Sequence, residues 1–223
     1  VLSLPGLSKA EEKQKDIAIL EEVVVTATKT EETRKDVPNS IIIMDEIDIQ
    51  ESPAKSLGEL LANELALDWR TQGNFGGAAE MIHIRGMSGN ATQVFVNGVN
   101  INSPSLGIAD VGRIPLNTIE RIEVVKGSGS LLYGSGAMGG TINIITKRPK
   151  REKTDLTISA GYGSQDTYQL SAEQGMFLSD DFGYYLTASC RETDGFRDNS
   201  DLTHNDISLK LVLDNGDVMD ISF

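Results

Sequence analysis

The stretch Ile119–Lys147, IERIEVVKGSGSLLYGSGAMGGTINIITK, decides the fold. Two β-branched runs, Arg121–Val125 and Thr141–Thr146, flank a segment with six glycines, several serines, one tyrosine and one methionine. Glycine tolerates positive φ and close backbone approach, so two short strands joined by a glycine-rich turn system is the plain reading. Gly134-Ser-Gly136-Ala-Met-Gly139 also spells G-x-G-x-x-G. A dinucleotide loop of that pattern follows a strand and opens a helix whose N-terminus holds the pyrophosphate. Here Thr-Ile-Asn-Ile-Ile-Thr follows, which is strand chemistry, and no Gly-Lys-Ser/Thr closes a phosphate loop. The glycines therefore read as backbone geometry.

The 223 residues can bury the core of one large domain or two small ones. Thirty-three acidic and 20 basic side chains give a net charge of −13, which repels nucleic acid and leaves no polybasic membrane-surface patch. No apolar run approaches the ~20 residues of a transmembrane helix. Transmembrane β-strands stay open, because alternation spreads apolar residues too thinly for hydropathy to register. The single Cys190 can form neither an internal disulfide nor a metal cluster. No positively charged n-region with an apolar core opens the chain, so any secretory signal is expected to have been removed already.

Working outward, Val1–Leu20 carries KAEEKQKD across Lys9–Asp16 and reads as a mobile, solvated arm. Glu21–Thr28, EEVVVTAT, is suited to extended pairing, as an internal strand or as an edge-adding peptide. Asp36-Val-Pro-Asn-Ser40 signals a turn before a short buried strand, Ile41–Met44. Leu57, Leu60, Leu61 and Leu65 recur at helical spacing behind Ser56-Leu-Gly-Glu59, which has the form of a capping box, and this leucine face reads as core. A glycine-rich loop, Thr71–Ala78, precedes the alternating strand Met81–Arg85. Asn97-Gly98 suits a type I′ turn between two apolar strands, and the polar Asn100–Ile108 makes a second loop. In Ile114–Arg121 the proline stands where the first turn of a helix accepts it.

Beyond the basic linker Lys147–Lys153 the pattern takes period two. Leu156, Ile158, Ala160 and Tyr162 share a face, as do Tyr168, Leu170 and Ala172; Tyr184, Leu186, Ala188 and Cys190; Ile207, Leu209, Leu211 and Leu213; and Met219, Ile221 and Phe223. Thr157, Gln169, Ser171, Glu173, Thr187, Arg191, Ser208 and Lys210 take the opposite faces. A soluble sandwich and a membrane barrel share this alternation, so periodicity alone leaves both open. Catalytic constellations are poorly supported. His83 and His204 have no neighbours of a zinc motif or triad, and Ser135 lacks the strand-turn-helix setting of a nucleophile elbow. No enzyme is expected.

Gly129-Ser-Leu-Leu-Tyr133-Gly134, Ala137-Met-Gly139-Gly140 and Asn143-Ile-Ile-Thr146, in this order after a strand, resemble the end of the plug domain of TonB-dependent outer-membrane receptors. Ile84-Arg85-Gly86 and the Asn97-Gly98 hairpin stand upstream in family order, while the family's Pro-Gly after the leucine helix is Asn63-Glu-Leu-Ala66 here. The resemblance implies an α+β plug domain with a small mixed sheet, followed by antiparallel strands of an incomplete transmembrane β-barrel. Residues 1–20 would be the arm, 21–28 a Ton box, 29–147 the plug, 148–153 a linker, and 154–223 the first four to five strands of a truncated outer-membrane β-barrel. The barrel would have about 22 strands, with periplasmic turns at Ser179–Asp181 and Asp214–Asp217 and an external loop from Glu192 to Asn205. An open β edge in lipid costs several kcal/mol per unpaired group, so the chain is expected to be an N-terminal fragment of a longer receptor.

The same resemblance implies roles. Glu22, Val23, Val24, Val25, Thr26 and Ala27 would add as a strand to a periplasmic TonB-type energising protein. Gln72, Asn74, Phe75, Asn100, Asn102, Ser103 and Ser105 would meet a metal-chelate ligand, an iron-siderophore, haem or cobalamin, in the two outer loops. Arg85 and Arg121 would lock the plug to glutamates of the barrel wall. Some receptors order external loops with calcium, for which Asp194, Asp198 and Asp201 are candidates beside the reading of a solvated acidic loop. No cofactor is expected. The partners would be the energising protein, the chelate and outer-membrane lipid, with no nucleic acid, in the outer membrane of a Gram-negative bacterium with the plug facing the periplasm within the barrel. The alternative is a soluble β-rich ligand- or protein-binding module whose apolar faces form a sandwich core.

Overall fold

The structure, a computed structural model, describes residues 23–24, 32–33, 40–71, 79–127, 136–151, 154–196, 198–214 and 218–222. Near the start, β1 (Val23–Val24) pairs antiparallel with β2 (Glu32–Thr33). Strand β3 (Ser40–Met44) leads into α1 (Glu46–Glu51) through Asp45, whose carboxylate accepts from the N–H groups of Ile47 and Asp48, both at 2.9 Å. Asp48 returns the bond to Asp45 N at 3.2 Å, a complete capping box on a helix too short for its periodicity to stand out in the sequence.

The box expected at Ser56 is half made. Ser56 Oγ accepts from Glu59 N at 3.2 Å, but the Glu59 carboxylate takes Lys55 N, one residue early, at 2.8 Å. Helix α2 (Leu57–Ala62) buries Leu57, Leu60 and Leu61, whereas Leu65, expected on the same core face, is 83% exposed. The helix stops at Ala62, and Ala66 at φ +69° swings the chain away, so Leu65 falls outside the helical repeat. The chain enters β4 (Leu67–Thr71), antiparallel to β5 (Glu80–Ile84), with Thr71 opposite Glu80.

Strands from Ile119–Lys126 and Gly140–Thr146 supply the centre of the α+β body. Strands β6 (Thr92–Val96), β7 (Val99–Asn100), β8 (Ile119–Lys126) and β9 (Gly140–Thr146) join β3 in a five-stranded sheet ordered β3-β8-β9-β6-β7. Only β6 and β9 run parallel, so the sheet is mixed. Gly140 lies so close to β8 that a Cβ there would come within 2.4 Å of the Val125 carbonyl oxygen. Residues 128–135, which include Gly134 and Ser135, lie outside the described residues. Ile122, Val124, Ile142 and Ile144 are fully buried with Leu57, Leu61 and Ile84, and each such side chain contributes ~1.5–3 kcal/mol by leaving water.

At the hairpin both Asn97 (φ +49°) and Gly98 (φ +82°) take the positive φ that a type I′ turn requires. Asn97 also ties the turn to the end of β9, accepting from Thr146 N at 3.0 Å and donating to Thr146 Oγ1 at 2.9 Å. The helix start expected at Pro115 is a single 3₁₀ turn, Leu116–Thr118, with Pro115 directly before it.

Strands β10 (Asp155–Gly163), β11 (Thr167–Phe177), β12 (Phe182–Thr193), β13 (Leu202–Asp214) and β14 (Val218–Ser222) form an antiparallel meander in chain order. The register aligns Ile158, Ala172, Ala188 and Ile207 across β10–β13, and one residue along it aligns Thr157, Glu173, Thr187 and Ser208 on the other face. Ile158 and Ile207 are 74% and 79% exposed, while Glu173 and Thr187 are 6% and 4% exposed. A soluble sandwich buries its apolar face, and this sheet does the reverse. An apolar outside and a polar inside is the pattern of a membrane barrel wall. The external loop is shorter than expected, since β12 runs on to Thr193 and β13 begins at Leu202. The turn after Phe177 closes before Phe182 as expected; residues 215–217 of the next turn lie outside the described residues. Among the described residues no helix is long and apolar enough to cross a membrane, which does not bear on strands.

Candidate functional site

The second glycine-containing polar loop, Asn100–Ile108, is a compact hydrogen-bonded unit. Asn102 is its keystone: Oδ1 accepts from Val94 N, and Nδ2 donates to the Thr92 and Gly107 carbonyls, all at 2.8 Å. Asn100 Oδ1 accepts from Asn102 N at 2.7 Å, and its Nδ2 donates to Gln93 Oε1. Ser103 and Ser105 approach through their hydroxyls at 3.1 Å, while Ser103 closes the loop by donating from N to Ile108 O and accepting from Gly107 N. The Asn102 amide is thus occupied by backbone, and Asn100, Ser103 and Ser105 present polar groups at the surface. Gln72, Asn74 and Phe75 of the first loop lie outside the described residues.

The residues that follow the two loops meet at one buried side chain. Glu80, 1% exposed, opens β5 directly after the first loop. Its N–H donates to Asp110 Oδ1 at 2.9 Å and its carbonyl accepts from Val111 N at 2.9 Å, just past the second loop. Its Oε2 accepts from Ser56 Oγ at 3.0 Å. Burial pushes the Glu80 carboxyl above the ordinary range; the Ser56 bond opposes this and the neighbouring Asp110 charge adds to it. Trp69 and the Glu80 carboxylate leave no room for a side chain at Gly58, whose Cβ would come within 2.3 Å and 2.5 Å of them. Glu80 carries no sequence signal beyond an acidic residue at the head of an apolar strand.

The plug sits on the polar face of the meander across a cleft of about 910 Å³ rimmed by Glu46, Gln50, Arg113, Ser171 and Arg191 among others. Lys147 Nζ meets Glu173 at 2.9 Å and Glu46 at 3.1 Å, and Tyr185 Oη donates to Glu173 Oε2 at 2.7 Å. Lys210 Nζ donates to the Thr146 carbonyl at 2.8 Å. Higher on the wall, Arg191 Nη2 donates to the Lys55 carbonyl at 3.0 Å. On the linker, Arg151 pairs with Asp214, donates to the Asp180 carbonyl and lies 4.8 Å over the Phe177 ring, which ties the linker to two turns of the wall. In the sequence these wall residues were visible only as the polar half of an alternating pattern.

The two arginines expected to lock the plug are not brought together. Arg121 pairs with the fully buried Glu123 on its own strand at 2.8 Å. Arg85 is exposed at φ +54°, and its guanidinium lies against Gly127, six residues along from Arg121 and about 20 Å of extended chain away. The calcium candidates do not converge. Asp194, Asp198 and Asp201 are exposed, and among the described residues no three His, Cys, Asp or Glu side chains gather as a metal site. Of the six residues expected to form a Ton box, Val23 and Val24 form β1, and the other four lie outside the described residues. His83 faces Asp68 across β4–β5, and His204 approaches Asp206 at 2.6 Å.

A mixed-sheet α+β body gripped by the polar face of an outward-apolar wall defines a plugged outer-membrane β-barrel. Residues 33–141 match the family model of the TonB-dependent receptor plug domain. The chain is 36% identical over 198 residues to the vitamin B12 transporter BtuB of Photobacterium profundum, covering 87% of this chain and 31% of that protein. It is 36% identical over 160 residues to BtuB of Vibrio cholerae, covering 72% of this chain and 26% of that one. The pyoverdine outer-membrane receptor FpvA of Pseudomonas aeruginosa superposes with a TM-score of 0.78 at 21% identity, over 90% of this chain and 29% of that one, a likeness of fold. Residues 33–141 are thus a TonB-dependent receptor plug domain, in a chain similar to receptors of the Gram-negative outer membrane. It spans about a third or less of the length of these relatives.

Proposed function

We propose that the complete protein to which these residues belong takes up a scarce metal-chelate nutrient across the outer membrane, driven by a TonB-type energising protein in the periplasm. The observation that carries this reading is the plug seated by Lys147, Arg191 and Lys210 contacts on the polar face of a wall whose apolar face is exposed. A body held by charge-assisted hydrogen bonds across a polar cleft can be moved, because water can replace each bond. Ligand would meet the outer loops through Asn100, Ser103 and Ser105 and through Gln72, Asn74 and Phe75, with Asn102 holding the second loop in shape. Arg85 and Arg121 would pair with glutamates elsewhere on the barrel. Ligand would bias Glu22–Ala27 toward exposure, a coupling between two distinct sites. Strand addition there would pull the plug.

Cobalamin is the first chelate to test, since the relatives at 36% identity carry it, with iron-siderophores and haem beside it. The experiment is uptake of radiolabelled cyanocobalamin, haem and a panel of ferric siderophores by cells whose only such receptor is the complete protein, with and without a proton-motive-force uncoupler. Uptake of one chelate class that the uncoupler abolishes is expected. Uptake of none, or uptake indifferent to the uncoupler, would contradict the reading.

A further inference from the structure

We propose that Glu80 is a positioning residue within the plug. Its side chain is a wedge that fixes the segment after Asn100–Ile108 against the start of α2, so that this loop and the one before β5 keep one spacing. Three pieces of chain meet on it. The first is the head of β5 itself, where Thr71 opposite Glu80 closes the base of the first loop. The second is the start of α2, where Ser56 Oγ donates to Glu80 Oε2 at 3.0 Å and accepts from Glu59 N at 3.2 Å. A hydroxyl has one proton to give, so Glu80 decides which way the helix cap points. The third is the segment after the second loop, where a Cβ on Gly112 would lie 2.9 Å from Glu80 Cγ and 3.1 Å from Cδ. Asp110 Oδ1 brackets the contact, accepting from Glu80 N at 2.9 Å and from Gly112 N at 3.1 Å.

The wedge fills the space between two glycines, Gly58 of α2 and Gly112. Gly58 also lies under Trp69, whereas the three atoms nearest a Cβ at Gly112 all belong to Glu80 and Asp110, so position 112 reports on Glu80 directly. An acid at 1% exposure is a costly way to fill space. Leucine would fill it without that cost and would offer Ser56 no acceptor. The site therefore asks for two things at once, volume against Gly112 and acceptance from Ser56, and glutamine supplies both. Little slack separates the wedge from the second loop. Ser103 N donates to Ile108 O at 2.9 Å and Gly107 N to Ser103 O at 2.7 Å, and between Ile108 and Gly112 the side chains of Ala109 and Val111 are 4% and 0% exposed. A shift of either loop is carried to Glu80 and from it to the cap of α2. That a bound chelate supplies such a shift rests on the proposed function.

The test is amide hydrogen exchange on the complete receptor in detergent, comparing wild type with Glu80→Ala, Glu80→Gln, Gly112→Ala and the double variant Glu80→Ala/Gly112→Ala, each first shown to carry a heat-modifiable, folded barrel. Glu80→Ala should raise exchange about tenfold at Leu60, Ser103, Gly107 and Val111 and leave β8 unchanged. Glu80→Gln should stay within about twofold of wild type, because it keeps both the volume and the acceptor. Gly112→Ala should raise exchange at the same amides, and the double variant should return to within about threefold of wild type, since the added methyl enters the space the side chain leaves. Glu80→Ser carries the same comparison if Glu80→Ala does not assemble. Equal loosening by Glu80→Gln and Glu80→Ala, a rise shared by β8, or a double variant looser than either single would overturn the wedge. Exchange at Ser103 and Gly107 that cyanocobalamin, haem and a panel of ferric siderophores all leave unchanged would refute the ligand reading of the loops and leave the wedge standing.

Discussion

Glu80 shows how much one side chain can decide without announcing itself in the sequence. Its raised pKa means that the native state holds a proton more tightly than the unfolded chain does. The associated stability is complete below the ordinary glutamate value of about 4.5 and is lost as pH rises through the raised folded value. Glu80→Gln should flatten this decline and leave the plug at least as stable at pH 7 as the wild type, measured by urea-dependent hydrogen exchange of α2 and β5 between pH 4 and 7; an unaltered pH dependence would contradict the assignment. At this scale the sequence was least legible. Asn102 and Asn100 looked alike as polar loop residues, yet one is spent on three backbone groups and the other faces out. Their difference lies in which backbone atoms the loop brings within 3 Å, and residue type does not encode that.

Among elements, the long periodic ones could be read and the short ones could not. Strands β8 and β9 follow the β-branched runs to within two residues, and the five wall strands follow their alternation, because repeated burial of one face leaves a repeated pattern. Helix α1 has six residues, less than two full turns, and its Asp45 cap became meaningful only beside the structure. The leucine repeat overreached by one turn, and this gives a paired prediction. Leu61→Ala should destabilise the plug by ~2–5 kcal/mol, as truncation of a fully buried leucine does, and Leu65→Ala should be neutral within ~0.5 kcal/mol. Both are read from denaturant-dependent exchange of β8. The orientation of the wall gives another. Ile158→Lys places a charge on the outward apolar face and should cost ~2–4 kcal/mol of barrel stability if that face meets lipid, seen as lost heat-modifiable folding. A full-yield, folded barrel would contradict the lipid-facing assignment.

On the scale of the whole molecule, the fold class was legible because the glycine-rich close, the hairpin and the alternating strands come in one order. Periodicity could not say which face of the wall turns outward. That required the register, which places Ile158, Ala172, Ala188 and Ile207 together on the uncovered side and Glu173 and Thr187 under the plug. The grip on the plug was hidden for a related reason: Lys147, Arg191 and Lys210 acquire their roles from contacts across 26 to 136 residues of chain.

Near the start of the chain, among the described residues, β1 pairs with β2 through Val23 opposite Thr33 and Val24 opposite Glu32. If ligand at the loops biases Glu22–Ala27 toward the energising protein, as proposed, removal of that segment tests the coupling most directly. In the complete receptor, deletion of Val23–Ala27 should abolish energised uptake of the transported chelate while its equilibrium binding to intact cells stays within about twofold of wild type. Continued uptake by the deletion variant would contradict the account.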